Sequence, residues 1–454
     1  MKLTRSVEKI LEKWKKQENR KPIILRGARQ VGKTFTINEF AKKFTFFIPL
    51  NLERPREREL FARFRSGKEL FESILLYKGI KVQTDKTLLF IDEIQHSAEA
   101  IKALRYLYEE VRGLSIIAAG SLLEVFSKRE GFSFPVGRIK NLFLYPINFL
   151  EYLEEANPPL AQKMMSYEIT DKIPPEIHQL LLDQFFRYAF IGGMPEAVSR
   201  FLEKGSYSEI RDIYDSIFRG YLEDVEKYSS LAKAKYLSHA IDRAPLYVGE
   251  RIKFEKFGES LFRSREMKEA FSTLEKAMIL YLASPSFSTK LPIIKDLKKA
   301  PKLFFVDCGL ANFRIGFKDF FTIDQSLNEI YRGKIAEQVV AQEIVSADFD
   351  LTDLAFWIRE KAEAEIDFLY PFKNLVIPLE VKSGKLGKLK SLAIFMDRSI
   401  HPYAVRVYSG QMQVEKAKTV LGKSFSLLSL PFYLLPRLEE MLDQLVKTVI
   451  TEAK

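Results

Sequence analysis

The segment Pro22-Ile-Ile-Leu-Arg-Gly-Ala-Arg-Gln-Val-Gly-Lys-Thr34 decides how the first part of this chain folds. A short apolar run leads into Gly-x-x-x-x-Gly-Lys-Thr and then into a helix-like stretch, so the segment predicts a strand, a tight loop and a helix. Glycine lets such a loop curl until successive N–H groups point at one anion, and the helix start adds its positive end. The segment therefore predicts a phosphate-binding loop, with a chance match in an ordinary strand-turn-helix as the alternative.

Every position of this loop is a predicted nucleotide contact: Gly27, Ala28, Arg29, Gln30, Val31, Gly32, Lys33 and Thr34. The Lys33 ammonium has the length and charge to reach the β- and γ-phosphates, and the Thr34 hydroxyl can bind Mg²⁺. The predicted cofactors are therefore ATP and Mg²⁺.

A second motif, Thr87-Leu-Leu-Phe-Ile-Asp-Glu-Ile-Gln95, supports the first. Its apolar run predicts a strand buried on both faces that ends in Asp92 and Glu93. Two adjacent acids beside a buried strand are costly unless a cation lies nearby. We expect Asp92 to help hold Mg²⁺ at the nucleotide and Glu93 to act as the general base that polarises the attacking water. In this order, the two motifs indicate hydrolysis of a nucleoside triphosphate.

Two further residues are candidates for contacts with phosphate. Ser121 follows the apolar run 115–120, a predicted strand, and could sense the γ-phosphate; an ordinary strand-to-helix cap is the alternative. Arg138 precedes a predicted last strand and could act as an arginine finger on a neighbouring subunit of a homo-oligomer. An exposed loop arginine is the alternative there. The alternation of strands and helices predicts an α/β fold with a parallel sheet and right-handed crossovers.

Composition limits the class of protein. A chain of 454 residues is expected to form roughly two to four domains, and its net charge of +11 permits an acidic polymer as partner. The single cysteine, Cys308, excludes an intramolecular disulfide and argues for a reducing compartment. The first residues carry no signal segment, and the most apolar later stretch, 425–435, is too short to span a membrane. We therefore expect a cytoplasmic protein without membrane contact.

The middle of the chain is the basic part. Residues 156–230 predict a helical lid over the nucleotide, and residues 231–303 hold 15 lysines and arginines against 8 aspartates and glutamates. A predicted amphipathic helix begins near Ser264, its predicted N-cap, and a predicted strand pair follows it. That order suits a winged helix-turn-helix whose exposed helix enters a DNA groove. A helical adaptor with a solvated basic face is the alternative.

The C-terminal third contains a second group of ionisable residues. Residues 364–382 predict two strands joined by a turn, with Asp367 near one strand start and Glu380 and Lys382 on one face of the other. Glu337 lies earlier, on the apolar face of a predicted helix, where an acid needs a partner. Two carboxylates can hold Mg²⁺ while a lysine orients water beside a phosphate, which makes Asp367, Glu380 and Lys382 catalytic candidates and Glu337, Asp367 and Glu380 metal ligands. A hairpin with ordinary salt bridges is the alternative.

These residues recur together in one family. The shared motifs are Gly27-Ala-Arg-Gln-Val-Gly-Lys-Thr34, Phe90-Ile-Asp-Glu-Ile-Gln95, Gly120-Ser121, Gly137-Arg138, Tyr145-Pro146, Gly192-Gly193-x-Pro195, Pro301-Lys-Leu-Phe-Phe-Val-Asp-x-Gly309, Glu365-Ile-Asp367 and Glu380-Val-Lys382. By these motifs the chain resembles the bacterial and archaeal AAA+-type ATPases that carry a C-terminal domain of unknown function.

The resemblance implies five regions: an AAA+-type ATPase core (1–155), a helical lid (156–230), a winged-helix-like region (231–318), a PD-(D/E)xK nuclease-like domain (319–430) and a C-terminal helix (431–454). It also implies ATP binding at residues 27–34 and a nuclease-type metal site at Glu337, Asp367, Glu380 and Lys382.

The leading hypothesis is an ATPase that binds DNA through its basic middle region and cuts it with Mg²⁺ at the C-terminal site. The first rival is a nucleotide-switched DNA- or protein-binding ATPase without nuclease activity. The second rival is an ATPase that remodels a polypeptide.

Overall fold

The computed structural model describes residues 3–121, 135, 137–228, 231–316, 329–347, 349, 353–360, 364–382 and 389–452. It contains a parallel sheet with helices on both faces, followed by further helical and sheet regions. The α/β class predicted from the sequence is therefore confirmed. No helix within these ranges is long and apolar enough to cross a membrane.

The N-terminal sheet carries the phosphate loop. Its strands are β1 (Ile23–Arg26), β2 (Phe46–Asn51), β3 (Thr87–Asp92), β4 (Ser115–Gly120) and β5 (Lys140–Phe143). They are all parallel, in the order β2-β3-β4-β1-β5. Every residue of β3 and β4 is buried because helices cover both faces, which explains their unbroken apolar runs.

The helices around this sheet are α1 (Val7–Lys15), α2 (Lys33–Ala41), α3 (Pro55–Glu59), α4 (Gly67–Lys78) and α5 (Ala98–Glu110). Helices α3 and α4 are separate, and the Ser66 side chain starts α4 by accepting a hydrogen bond from Glu69 N.

A helical region follows the sheet: α6 (Phe149–Ala156), α7 (Pro158–Ser166), α8 (Pro175–Ile191), α9 (Pro195–Lys204) and α10 (Ser208–Tyr228). Asn148 and Glu151 form a capping box that starts α6, and Gly192-Gly193 separates α8 from α9.

The basic middle region contains α11 (Leu231–Arg243), α12 (Ser264–Lys276), β6 (Leu280–Ser286), β7 (Lys302–Phe305) and α13 (Cys308–Ile315). Ser264 is the first residue of α12 rather than its N-cap; Arg263 holds that position without a side-chain bond. The predicted strand pair is present as β6 and β7, which are antiparallel, and β6 continues into parallel pairing with a strand of the C-terminal region.

The C-terminal region contains α14 (Glu329–Ala347), β8 (Ala355–Ile358), β9 (Glu365–Ile366), β10 (Phe368–Phe372), β11 (Leu375–Val381), α15 (Lys390–Arg398), β12 (Tyr403–Tyr408), β13 (Gln413–Lys418), β14 (Ser424–Pro431) and α16 (Leu438–Glu452). One sheet has the order β10-β11-β12-β14-β13, and the other joins the two regions in the order β7-β6-β8-β9. A continuous apolar core that includes Trp14, Tyr188, Phe305 and Tyr433 packs all these regions together.

Candidate nucleotide-binding site

The phosphate loop joins β1 to α2 in a conformation that glycine makes possible. Gly32 has φ of +91°, in the left-handed region, and lies directly before α2. Gly27 approaches the backbone closely, since a Cβ there would lie 2.4 Å from the Leu144 carbonyl oxygen. The loop therefore adopts the predicted tight turn at the carboxyl end of β1.

Lys33 is buried and folds back onto the loop. Its Nζ donates to the carbonyl oxygens of Gly27 at 3.0 Å and Ala28 at 2.8 Å. Burial lowers the pKa of the Lys33 ammonium to about 8, against the opposing attraction of Glu93 and Asp92. The site thus holds a buried ammonium, and the hydrogen-bond partners of this ammonium are uncharged carbonyl oxygens.

The two motifs meet at the carboxyl edge of the sheet. Thr34 Oγ1 donates to Asp92 Oδ2 at 2.8 Å, and burial raises the pKa of the Asp92 carboxyl. Glu93 has φ of +52°, and its Oε2 accepts a hydrogen bond from Gln95 Nε2. This pairing of a hydroxyl with an acid is the oxygen donor set that Mg²⁺ prefers beside a phosphate.

A cavity of about 610 Å³ opens over this edge. Its lining includes predicted residues of the loop and both strand ends: Arg29, Gln30, Gly32, Lys33, Thr34, Glu93 and Ser121. On the other side it is lined by α9, through Pro195, Glu196, Ser199, Arg200 and Glu203. Helix α9, which lies within the region predicted as a lid, therefore borders this cavity.

Arg5 supports the loop from behind. Its guanidinium is buried and donates to Val31 O at 2.9 Å, Tyr145 O at 2.7 Å and Glu151 Oε2 at 3.1 Å. A rigid five-donor group can hold three acceptors at once. Arg5 thereby ties the phosphate loop to the strand end beside it and to the start of α6.

Arg29 leaves the loop towards the helical region. Its Nη1 pairs with Asp224 Oδ1 at 2.5 Å and with Gly220 O at 3.4 Å, both on α10. The predicted phosphate contact is therefore engaged by α10 in this structure.

Arg138 lies away from this cavity. It precedes β5, whose first residue, Lys140, is beside Ile23 at the amino end of β1. Its Nε pairs with Glu109 Oε1 at 2.7 Å. Arg138 thus lies near the amino ends of the parallel strands, whereas the phosphate loop lies at their carboxyl ends. If Arg138 contacts a nucleotide, that nucleotide is bound to a neighbouring subunit.

The C-terminal candidates come together as the sequence predicted. Strands β10 and β11 form an antiparallel hairpin, which places Asp367 Oδ2 2.8 Å from Val381 N. Glu380 Oε1 lies 2.6 Å from Lys382 Nζ, and Glu337 approaches from α14. Burial and the charge of Asp367 raise the pKa of both Glu337 and Glu380.

A further lysine stands among these acids. Lys302 Nζ lies 2.9 Å from Glu337, 2.7 Å from Glu365 and 3.3 Å from Asp367. Burial alone would lower the Lys302 pKa, but the surrounding carboxylates outweigh it and raise that pKa. The prediction that these acids bind Mg²⁺ does not fit this arrangement, and no three acidic, histidine or cysteine side chains in the described ranges are placed to hold a metal. Lys385 and Lys388, which follow β11 in the sequence, lie outside the described residues.

Comparisons with known proteins agree with the first site. Residues 19–153 match the family described as "AAA domain". Residues 182–320 and 332–433 each match a "Domain of unknown function", DUF8612 and DUF4143 respectively. The first match supports a P-loop AAA-type ATPase domain.

Relatives of the whole chain are distant. It is 23% identical over 358 residues to the "Uncharacterized protein MJ1637" of Methanocaldococcus jannaschii, which covers 75% of this chain and 70% of that protein. It is similar to the solved Walker-type ATPase paby2304 of Pyrococcus abyssi, with 16% identity, a TM-score of 0.43, and coverage of 69% of this chain and 96% of the other. It is also similar to C. elegans PCH-2, with 17% identity, a TM-score of 0.26, and coverage of 43% and 58%.

Sequence reasoning missed four residues at the two sites: Arg5, Arg200, Asp224 and Lys302. The first three lie outside the motifs of the AAA domain and reach it only through tertiary packing. Lys302 had a weak signal, since it is a lysine at the head of the otherwise apolar run Leu303-Phe-Phe-Val306.

Proposed function

We propose that the protein binds ATP with Mg²⁺ in the cavity under α9 and hydrolyses it. The observation that carries the proposal is the convergence of Lys33, Thr34, Asp92, Glu93 and Ser121 on one edge of the parallel sheet. A buried cation, a hydroxyl–carboxylate pair and a second carboxylate are the groups that phosphoryl transfer to water requires.

The residues present fit both cofactors. The loop N–H groups and Lys33 would hold the phosphates, and Thr34 with Asp92 would hold Mg²⁺. When bound, Mg²⁺ supplies charge neutralisation to the phosphate oxygens. A phosphate would also give Lys33 an anionic partner in place of two carbonyls.

The chain itself supplies orientation. Glu93 is positioned to polarise water, and the bond from Gln95 holds its carboxylate. Ser121 lines the same cavity and is a candidate γ-phosphate contact. Arg200 on α9 also lines it, and its Nε lies 3.8 Å from Glu209 on α10. An anion in the cavity would attract Arg200, while Glu196 and Glu203 of the same helix would repel it.

The test compares ATP binding and turnover in wild type, Lys33→Ala and Glu93→Gln. We expect Lys33→Ala to lose binding and turnover together, because the phosphates lose their cation. We expect Glu93→Gln to keep binding while kcat falls by about 10²-fold or more. Full turnover in both variants would overturn the proposal. Lys9→Ala, at an exposed position of α1, is the matched control.

We further propose that the middle region binds nucleic acid, DNA in the first instance. Helix α12 buries Met267 and Phe271 and leaves Arg265 and Lys268 exposed. The loop between β6 and β7 adds further exposed lysines: Lys290, Lys298 and Lys299. Exposed basic side chains on this helix, beside a hairpin loop rich in lysine, suit contacts with phosphates.

The Arg265→Ala/Lys268→Ala double variant tests this surface. We expect weaker binding of labelled duplex and single-stranded DNA, with the salt dependence of log K reduced by about 2. The Lys9→Ala/Lys13→Ala variant removes equal charge from α1 and should bind as wild type does. Equal loss in both variants would mean non-specific attraction, and no salt-sensitive binding at all would favour remodelling of a polypeptide.

Two finer expectations stay predictions. Cleavage of DNA by Asp367, Glu380 and Lys382 is favoured by the meeting of these side chains, but the position of Lys302 weighs against it. An arginine-finger role for Arg138 requires a homo-oligomer and is consistent with its place at the far edge of the sheet.

A further inference from the structure

We propose that Lys302 is a resident cation, held where a divalent metal would otherwise bind among the C-terminal carboxylates. The acids then accept a divalent cation only when this ammonium is removed. The inference concerns a different region from the ATP site and holds whether or not the chain hydrolyses ATP.

The contacts of Lys302 are complete. The Lys302 ammonium donates to Glu337 at 2.9 Å and to Asp367 at 3.3 Å, and it forms an ion pair with Glu365 at 2.7 Å. These acceptors come from α14, from β9 and from the residue between β9 and β10. The Lys302 side chain is only 4% exposed. Such enclosure distinguishes it from a surface salt bridge, where a lysine stays largely solvated.

Strand pairing fixes the backbone of Lys302 beside the acids. It is the first residue of β7 and pairs with Ala283 of β6 and with Arg251 on its other side. Its Nζ also lies 5.4 Å from the ring centroid of Phe356 on β8. Arg251 supports the same cluster, with Nη1 3.7 Å from Glu365. Rotating the Lys302 side chain out of the cluster would break its ion pairs with three carboxylates and leave those acids without a cation.

Most carboxylate oxygens of this cluster already have a positively charged or N–H partner. Asp367 uses Oδ1 for Lys302 and Oδ2 for Val381 N, and Glu380 uses Oε1 for Lys382. Glu380 Oε2 is buried and has no hydrogen-bond partner among the described residues. A divalent cation needs several oxygens at about 2.0–2.6 Å, and the ammonium both occupies them and repels it. The Mg²⁺ site predicted from the sequence therefore does not fit the observed contacts of these acids. Glu380 Oε2 is the oxygen that could bind a divalent cation without first losing a partner.

The experiment measures Mn²⁺ binding to nucleotide-free protein by equilibrium dialysis. Wild type and Glu337→Gln/Asp367→Asn should bind the same amount of Mn²⁺, because Lys302 already occupies these acids in wild type. Lys302→Met keeps the packed stem without the charge and should gain about one Mn²⁺ per chain. Adding Asp367→Asn to Lys302→Met should abolish that gain. Lys334→Met is the matched control, since it removes a lysine that pairs with Glu250 outside the acid cluster.

Two results would overturn the proposal. One is a bound Mn²⁺ in wild type that is lost in Glu337→Gln/Asp367→Asn, since the acids would then hold metal beside Lys302. The other is a folded Lys302→Met protein, verified by circular dichroism, that gains no Mn²⁺. If Lys302→Met folds only when Mn²⁺ is added, the metal has replaced the ammonium and the proposal is supported; if Mn²⁺ does not restore folding, the acids cannot exchange one cation for the other and it fails.

Discussion

At the scale of single residues, both sites depend on a buried lysine, and the partners decide the effect. Lys33 is surrounded by carbonyls, so burial lowers its pKa, whereas Lys302 is surrounded by carboxylates, which raise its pKa. Lys33 is therefore available to an incoming anion, while Lys302 is already neutralised. The same residue type serves binding in one place and structure in the other.

The environment of Lys33 predicts that replacing this lysine with an uncharged residue raises stability and removes activity. Its pKa of about 8 in the fold lies below the value of 10.5 for the unfolded chain, so the unfolded chain binds more protons between these pH values. The free energy of unfolding of nucleotide-free wild type should therefore rise across that window, by up to about 3 kcal/mol. Lys33→Met should lack this rise and be the more stable protein at pH 7. Urea unfolding at pH 7 and pH 10 measures the difference, with exposed Lys9→Met as control; equal pH slopes in Lys33→Met and wild type would contradict it.

At the scale of elements, the turn between α8 and α9 sets where the lid lies. Gly193 O accepts from Ile147 N at 2.7 Å, and Gly193 N donates to Asp307 at 2.6 Å. A Cβ on Gly193 would lie 2.1 Å from Ile147 O. Just beyond this turn, Pro195 packs over Gly32 of the phosphate loop. The lid thus starts from a backbone contact that leaves no room for a side chain.

Gly193→Ala should displace the start of α9 and lower kcat/KM for ATP by about tenfold or more, because a misplaced lid weakens positioning of the phosphates. Steady-state kinetics measure it. Gly205→Ala is the matched control at the other end of α9: its φ of +67° makes alanine cost about 1 kcal/mol, but open space surrounds it. Equal loss of turnover in both variants would show a general effect on α9 stability and refute the specific role of the turn.

At the scale of the whole molecule, buried acids connect the ATPase domain to the rest of the chain. Asp307, before α13, accepts from Gly193 N and Leu310 N, while Gln342 of α14 donates to it at 3.4 Å. The next residue of α14, Glu343, accepts from Phe149 N of α6 and from the Tyr188 hydroxyl of α8. The helical region, the middle region and α14 therefore share one buried hydrogen-bond network. A movement of α8 or of the turn before α9 would therefore change hydrogen bonds to α14, the helix that also carries Glu337.

Local pattern alone determined the parallel α/β core, the phosphate loop, the Thr34–Asp92–Glu93 edge and the β10–β11 hairpin. Strand and helix periods, glycine at a tight turn and acids at a buried strand end act within a few residues, so they can be read from the sequence. Only the tertiary structure decided that Arg5 braces the loop, that α9 covers it, and that Lys302 stands among the C-terminal acids. These contacts join residues far apart in the chain, such as Lys302 and Asp367, and the charge of one partner changes what the other can bind. The sequence predicted that Glu337, Asp367, Glu380 and Lys382 lie close together, and they do. The cation that stands among the acids, Lys302, comes from β7, which the spacing of those four residues does not include.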